Sequence, residues 1–209
     1  MNNDLCTNFD RRDGFSISCL GRQTGQCLRI TGRMEAVPIS PASPADLLVI
    51  ADQLGRQPRG VVGVAWRCPC GRPAVVATAP RLEPDGEPFP TTYYLTCPRA
   101  VSACSRLEAV GLMSQMSLRL LNDAKLKSQY QQAHAAYLND RSHLAAQHGV
   151  CDVPDPEVSA GGMPDRVKCL HALVGHALAA GPGINPLGDE ALTEIGAFWN
   201  EPCQIGDES

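Results

Sequence analysis

One short stretch of the chain collects the side chains that are best suited to chemistry. Residues 161–191 contain Cys169, His171 and His176, and a glycine- and proline-rich loop follows them. A cysteine thiolate and an imidazole are both ligands for zinc, and the same pair can form a nucleophile and its general base. The alternative is an inert thiol in a packed helix, because free cysteines often behave as small apolar side chains.

The geometry of a helix decides which histidine can join Cys169. Pro164 suits the first turn of a helix and a glycine–proline pair suits its end, so we predict a helix over residues 164–180. On such a helix Cys169 and His176 share one edge at roughly 10.5 Å, whereas His171 projects about 200° away from Cys169. We therefore expect His176 to share a site with the thiol, and its substitution to lower metal content, or the reactivity of Cys97, much more than substitution of His171.

Three further cysteines lie at places that a fold could bring together. Cys68 and Cys70 flank a proline at the tip of a predicted hairpin, and Cys97 ends a strand and precedes a helix. Four ligands, namely Cys68, Cys70 and Cys97 with either Cys169 or His176, would suit zinc or an iron–sulfur cluster. A single residue between two cysteines is unusual for a zinc knuckle, so a turn with exposed thiols is the competing interpretation.

Cys97 also supports a second hypothesis, a thiol-dependent enzyme. A thiol at a helix N-terminus faces unpaired N–H groups and the positive end of the helix dipole, and both lower its pKa. With Cys97 as the nucleophile, His176 or His171 would be the base, and Asp165 or Asp189 would orient that base. The alternative is a cysteine that only occupies the position before a helix.

The elements that must position these residues form an α+β pattern. Two β-branched stretches, residues 60–67 and 73–79, flank the Cys-Pro-Cys-Gly tip, and a third, residues 91–96, runs into Cys97. If these strands form a simple antiparallel meander, Cys97 reaches the end of the sheet that holds the tip. We predict a small three-stranded antiparallel sheet over about residues 60–97, packed by about five helices.

Capping residues and apolar periodicity place the helices around this sheet. Beside the helix at 164–180, helices are predicted over about 44–54 and 98–110, from Leu112 almost to Gly149 with a break at Asn122–Asp123, and from Gly188–Asp189 onwards. Small residues such as Gly175 would let another backbone approach the 164–180 helix closely. The polar stretch 124–147 offers a docking surface for a protein partner, which is a third hypothesis: a non-catalytic interaction protein.

Length, charge and composition bound the remaining choices. The 209 residues suit one domain, over residues 43–200, and the net charge of −4 argues against a general nucleic-acid binder. Residues 1–42 are predicted to be a loose N-terminal arm and 201–209 a tail, and Met34 is a second candidate start. No membrane-spanning run or signal peptide is apparent, so we expect a cytoplasmic location. In that compartment disulfides are rare, so the ten cysteines favour metal ligation, thiol chemistry or burial.

Several motifs resemble a known family. RGVVGVAWRC, PFPTTYYLTCP, GGMPDRVKCLH and NPLGDEAL are similar to the bacterial family called domain of unknown function 501, in its actinobacterial form, over about residues 45–200. The resemblance implies no assigned activity, cofactor or catalytic residue. Members of this family often lie near genes for a septum-formation initiator and an exopolyphosphatase, which implies a link with cell growth or division.

Overall fold

A computed structural model describes residues 37–82, 86–149, 153, 155 and 157–198, all of which belong to one compact unit. The elements in chain order are α1 (Pro44–Leu54), β1 (Val61–Arg67), β2 (Pro73–Thr78), β3 (Arg81–Leu82), β4 (Glu87–Pro88), β5 (Tyr93–Leu95), α2 (Pro98–Ala109), α3 (Leu112–Asn122), α4 (Ala124–Gln147), α5 (Leu170–Ala180) and α6 (Pro186–Ile195). The predicted α+β class is confirmed, with six helices in the described part of the chain.

The central sheet is the predicted meander. Its strand order is β1-β2-β5, both pairs are antiparallel, and β3 and β4 form a separate small hairpin. Arg67 pairs with Pro73 beside the β1–β2 turn, and the N–H of Cys97 donates to the carbonyl of Ala74 at 3.3 Å. Cys97 therefore lies at the end of the sheet that holds the Cys-Pro-Cys-Gly tip, as the meander requires.

The chain before α1 already packs on the sheet. Val37 is buried, and Ser40 pairs with Val64 of β1 through backbone hydrogen bonds of 2.8 and 3.0 Å. The rest of the predicted arm, residues 1–36, and the predicted tail, residues 201–209, lie outside the described residues. The packed part of the described chain thus reaches back beyond the predicted boundary at residue 43.

An ion pair ties α1 to the sheet. Ser43 caps α1 as predicted, and its partner in the capping box is Asp46. The Asp46 carboxylate also accepts two hydrogen bonds from the Arg67 guanidinium, at 2.7 and 2.8 Å. The bonds from Arg67 hold the pKa of Asp46 well below its usual range, although burial opposes the shift. This bidentate contact fixes the end of β1 just before the hairpin tip.

The helix expected at 164–180 starts later, so that prediction was wrong over residues 164–169. Gly161 and Gly162 have φ of 73° and 90°, and their carbonyls accept the N–H groups of Lys168 and Arg166 in a compact turn. Proline suits tight turns as well as helix starts, and here Pro164 belongs to the turn. Helix α5 begins at Leu170, which makes Cys169 its N-cap residue.

Close backbone contacts hold α5 on both sides. A Cβ atom on Gly175 would stand 2.8 Å from the carbonyl oxygen of Tyr93 in β5, so this glycine permits the close approach that was predicted. A Cβ on Gly188 of α6 would overlap the carbonyl oxygen of Leu173. Helix α6 itself begins at Pro186 rather than at the predicted Gly188, because the Asn185 side chain caps it.

The long helix α4 buries one face against the core, including Tyr130, Tyr137 and Leu144. Its role as a partner-docking surface stays a prediction. None of the helices in the described part of the chain combines the length and hydrophobicity that crossing a membrane requires.

Candidate metal centre

Three side chains of different chemistry converge where α5 begins. One atom each of Glu108, Cys169 and His171 lies within 4.8 Å of the other two, and all three residues are half-buried. In the part of the chain that the structure describes, this is the one group of three or more His, Cys, Asp or Glu side chains that meets this distance. The arrangement offers a sulfur, a nitrogen and an oxygen ligand near the surface.

Glu108 is held in this position by the free end of α5. It lies in the last turn of α2, and its Oε1 accepts the backbone N–H of Leu170 at 2.7 Å. Leu170 is the first residue of α5, where N–H groups have no partner within the helix, so the carboxylate satisfies one of them. The same Oε1 lies 3.2 Å from Nδ1 of His171. One oxygen atom therefore joins the end of α2 to both the backbone and a side chain of α5.

The orientation of the His171 ring follows from its other neighbours. Nε2 lies 3.2 Å from the carbonyl oxygen of Val101 and 3.3 Å from the hydroxyl of Ser105. A carbonyl oxygen can only accept, so Nε2 carries a proton and donates it there. Nδ1 then faces Glu108 and also the Cys169 sulfur, at 3.7 Å. The neutral tautomer thus directs its lone pair between the thiol and the carboxylate.

The thiol and the imidazole share a proton. The hydrogen bond with Cys169 raises the pKa of His171 to about 9 against the opposing effect of burial, and the negative charge of Glu108 acts in the same direction as the hydrogen bond. Burial alone would raise the pKa of Cys169, but the hydrogen bond and charge of His171 and the N–H of Ala172 bring it below its ordinary value. The cluster therefore favours a thiolate beside an imidazolium.

A second thiol lies beneath the cluster. Cys104 is fully buried one turn before Glu108 on α2. Burial raises its pKa to about 12, and the charges of Glu108 and Cys169 contribute in the same direction. Cys104 therefore stays protonated near neutral pH and packs under the site rather than supplying a ligand.

His176, which was predicted to pair with Cys169, is not part of this cluster and lies in the core instead. Its ring is 0% exposed, stacks on Tyr93 with centroids 5.8 Å apart, and meets the edge of Tyr137 at 5.1 Å. The Asn185 amide nitrogen lies 3.2 Å from Nδ1 of His176. With α5 starting at Leu170, His176 faces the sheet and α4, whereas His171 lies beside its N-cap thiol.

The other predicted catalytic residues are not brought together with His176. Cys97 is the N-cap residue of α2 but is 0% exposed. Asp165 is exposed, and its charge acts on His134, while Asp189 accepts the N–H of Gly183 at 2.7 Å. Although all these residues are described, Cys97, His176 and Asp165 do not form a group within 4.8 Å.

The predicted cysteine ligands divide between two places. Cys68, Cys70 and Cys97 lie at the tip end of the sheet, and the charges of Cys70 and Cys97 reach Cys68. Cys169 belongs to the cluster with Glu108 and His171 instead. Sequence reasoning missed Glu108 altogether, because it lies 63 residues before His171 and no local pattern joins the two.

The fold and the site together define an α+β protein with a half-buried Cys–His–Glu cluster at the start of a helix. The chain belongs to the family described as Protein of unknown function (DUF501), whose sequence profile matches residues 64–193. This range contains all three residues of the cluster, and the description assigns no activity to them. No curated protein and no solved structure matches the chain.

Proposed function

We propose that this protein binds zinc through Cys169, His171 and Glu108. The distances between the ligand atoms carry the proposal. In a tetrahedral site with ordinary zinc–ligand bonds, nitrogen and oxygen stand about 3.3 Å apart, and sulfur and nitrogen about 3.6 Å apart. The corresponding distances here are 3.2 Å from His171 Nδ1 to Glu108 Oε1 and 3.7 Å from Cys169 Sγ to His171 Nδ1.

The second layer of contacts supports the same proposal. Histidine ligands commonly donate their other N–H to a carbonyl or carboxylate, which fixes the tautomer that ligates the metal. The contact of His171 Nε2 with the Val101 carbonyl is of this kind. A thiolate and a carboxylate would also balance the charge of a divalent zinc ion, so the partly buried site would carry little net charge.

The ligand set favours zinc over an iron–sulfur cluster at this place. Clusters are held mainly by cysteine thiolates, whereas zinc accepts sulfur, nitrogen and oxygen together. Three protein ligands leave a fourth position for water or a small ligand, which is the pattern of catalytic rather than structural zinc sites. We infer a zinc protein with an accessible coordination position, which leaves the reaction itself open.

The test is metal analysis of protein purified without oxygen, followed by zinc titration against a competing chelator. We expect about one zinc per chain and a loss of affinity of at least about a hundredfold in Cys169→Ser, His171→Ala and Glu108→Gln, because each removes one of three ligands. His143→Ala, which changes an exposed histidine of α4, is the matched control and should bind zinc as the wild type does.

Two outcomes would contradict the zinc proposal. Zinc that is lost in Cys70→Ser but retained in Cys169→Ser would place the metal at the hairpin tip, among Cys68, Cys70 and Cys97. Protein without metal, in which iodoacetamide alkylates Cys169 much faster than the other thiols, would favour thiol chemistry. The thiolate–imidazolium pair supports this second function, with Cys169 rather than Cys97 as the nucleophile.

A further inference from the structure

The hairpin tip between β1 and β2 places two thiols side by side. The N–H of Gly71 donates to the carbonyl of Cys68 at 2.8 Å, and the N–H of Cys68 donates to the carbonyl of Arg72 at 3.0 Å. Gly71 has φ of +85°, a left-handed conformation that suits glycine. Cys68 and Cys70 are thus the first and third residues of a tight turn.

The backbone of this turn is compatible with a disulfide. Consecutive Cα atoms are about 3.8 Å apart, so a chain that bends sharply at the middle residue brings the first and third Cα atoms to about 5.5 Å. Disulfides usually join Cα atoms between about 4.4 and 6.8 Å apart. The Cys68 thiol also lies within hydrogen-bonding reach of the Cys70 thiol. The two sulfurs therefore need little movement to meet.

The two thiols differ in their access to solvent. Cys68 is 3% exposed and belongs to the core, whereas Cys70 is exposed. Burial raises the pKa of Cys68, and the neighbouring charges of Cys70 and Cys97 act in the same direction. An oxidant in solution therefore meets Cys70 first, and the thiol that would resolve the resulting adduct is already beside it.

We propose that Cys68 and Cys70 form a reversible dithiol–disulfide centre, separate from the cluster at α5, that reacts with low-molecular-weight disulfides. The Cys70 thiolate attacks one sulfur of the small disulfide, which forms a mixed disulfide and releases one small thiolate. Cys68 then loses its proton and attacks the Cys70 sulfur, which forms the Cys68–Cys70 bond and releases the second small thiolate. The protein gives up two electrons and two protons, and the small disulfide becomes two thiols.

The surrounding contacts let this exchange occur in the folded protein. The ion pair of Asp46 with Arg67 and the pairing of Arg67 with Pro73 hold the strands on either side of the turn. Cys68 is buried in the core, so the exposed Cys70 side chain is the one with room to move. Among the residues that the structure describes, Cys97, which is fully buried, is the one competing thiol whose charge reaches Cys68.

The test uses the full chain equilibrated in buffers of oxidised and reduced glutathione, followed by acid quenching, alkylation and trypsin digestion. Trypsin does not cut before proline, so residues 68–81 form one peptide that contains these two cysteines and no other. In oxidising buffer we expect this peptide to lose two hydrogens and to carry neither alkyl group nor glutathione. Reduced dithiothreitol should restore both alkylation sites.

Cys70→Ser is the matched control, since it changes an exposed side chain and leaves the α5 cluster intact. It should abolish the internal disulfide and leave zinc binding unchanged, so failure of this proposal and failure of the zinc proposal are distinguishable. The inference is overturned if Cys70 stops at a glutathione adduct, if Cys68 pairs with Cys97, or if the peptide stays fully alkylated while glutathione is oxidised.

Discussion

Replacement of His176 by alanine should distinguish a residue of the core from a ligand of the proposed metal centre. The ring of His176 is fully buried between Tyr93 and Tyr137, and Asn185 lies within hydrogen-bonding distance of it. His171 is half-exposed and contacts Glu108 and Cys169 instead. We expect His176→Ala to lower stability and leave zinc affinity nearly unchanged, and His171→Ala to do the reverse.

The size of the effect follows from burial. Truncation of a buried ring to alanine costs about 3 kcal/mol, from lost contacts and the cavity left behind. The Asn185 amide loses its imidazole partner, which adds about 1 kcal/mol. For a protein of this length, about 4 kcal/mol corresponds to a fall in Tm of roughly 8–16 °C. The same change at His171 should cost about 1 kcal/mol or less, because its ring is already in contact with solvent.

The assay is thermal unfolding of metal-free protein, followed by circular dichroism, with zinc affinity measured separately on the folded variants. Metal must be absent during unfolding, because zinc bound to the native state would itself raise Tm. His176→Phe keeps a ring between the two tyrosines and loses the contact with Asn185, so it should cost about 1 kcal/mol. This variant keeps the comparison informative if His176→Ala does not fold.

One pattern of results would contradict the assignment of His176 to the core. If His176→Ala lowers Tm by less than about 3 °C and weakens zinc binding as much as His171→Ala does, His176 is a ligand rather than a core residue. In that case the face of α5 that carries His176, rather than the end that carries His171, would have to face the metal.

Two further variants test contacts that hold the fold around the site. Gly188→Ala should cost about 3 kcal/mol, at the upper end of overpacking costs, because its Cβ would overlap the Leu173 carbonyl. Gly86→Ala has open space but φ of +66°, so it should cost only about 1 kcal/mol. Equal urea midpoints for the two variants would contradict this difference. For Asp46→Asn the pH dependence is the readout. The pKa of Asp46 is depressed in the folded state, so the stability that its carboxylate contributes is complete above about pH 4 and is lost as pH falls further. The difference in free energy of unfolding between wild type and Asp46→Asn should therefore narrow below that pH. A constant difference between pH 7 and pH 3 would contradict the ion pair with Arg67.

Local signals were sufficient to predict the sheet and the first helices. Ser43 and the proline after it define the start of α1, and β-branched runs on either side of a glycine turn define β1 and β2. The placement of Cys97 at the tip end followed from the meander alone. These features depend on residues within a few positions of one another, so the sequence contains what decides them.

The start of α5 could not be decided in the same way. Pro164 is compatible with both a helix start and a turn, and the choice depends on two glycines before it and on a distant carboxylate. Glu108 accepts the N–H of Leu170 and so stabilises a helix that begins there. Because α5 begins a few residues later than predicted, Cys169 lies before the helix rather than on it. His171 therefore lies beside the thiol, in the place that was predicted for His176. A small shift in a helix boundary thus changed the whole predicted site.

The distance along the chain between Glu108 and its partners has a consequence for biosynthesis. Glu108 precedes His171 by 63 residues, so at usual rates of translation the carboxylate leaves the ribosome roughly 3–13 s before the imidazole does. During this interval α2 has neither the N–H of Leu170 nor the thiol of Cys169 beside it. A nascent chain therefore presents at most one of the three proposed ligands until α5 has been made. Metal loading at this cluster would therefore follow the docking of α5.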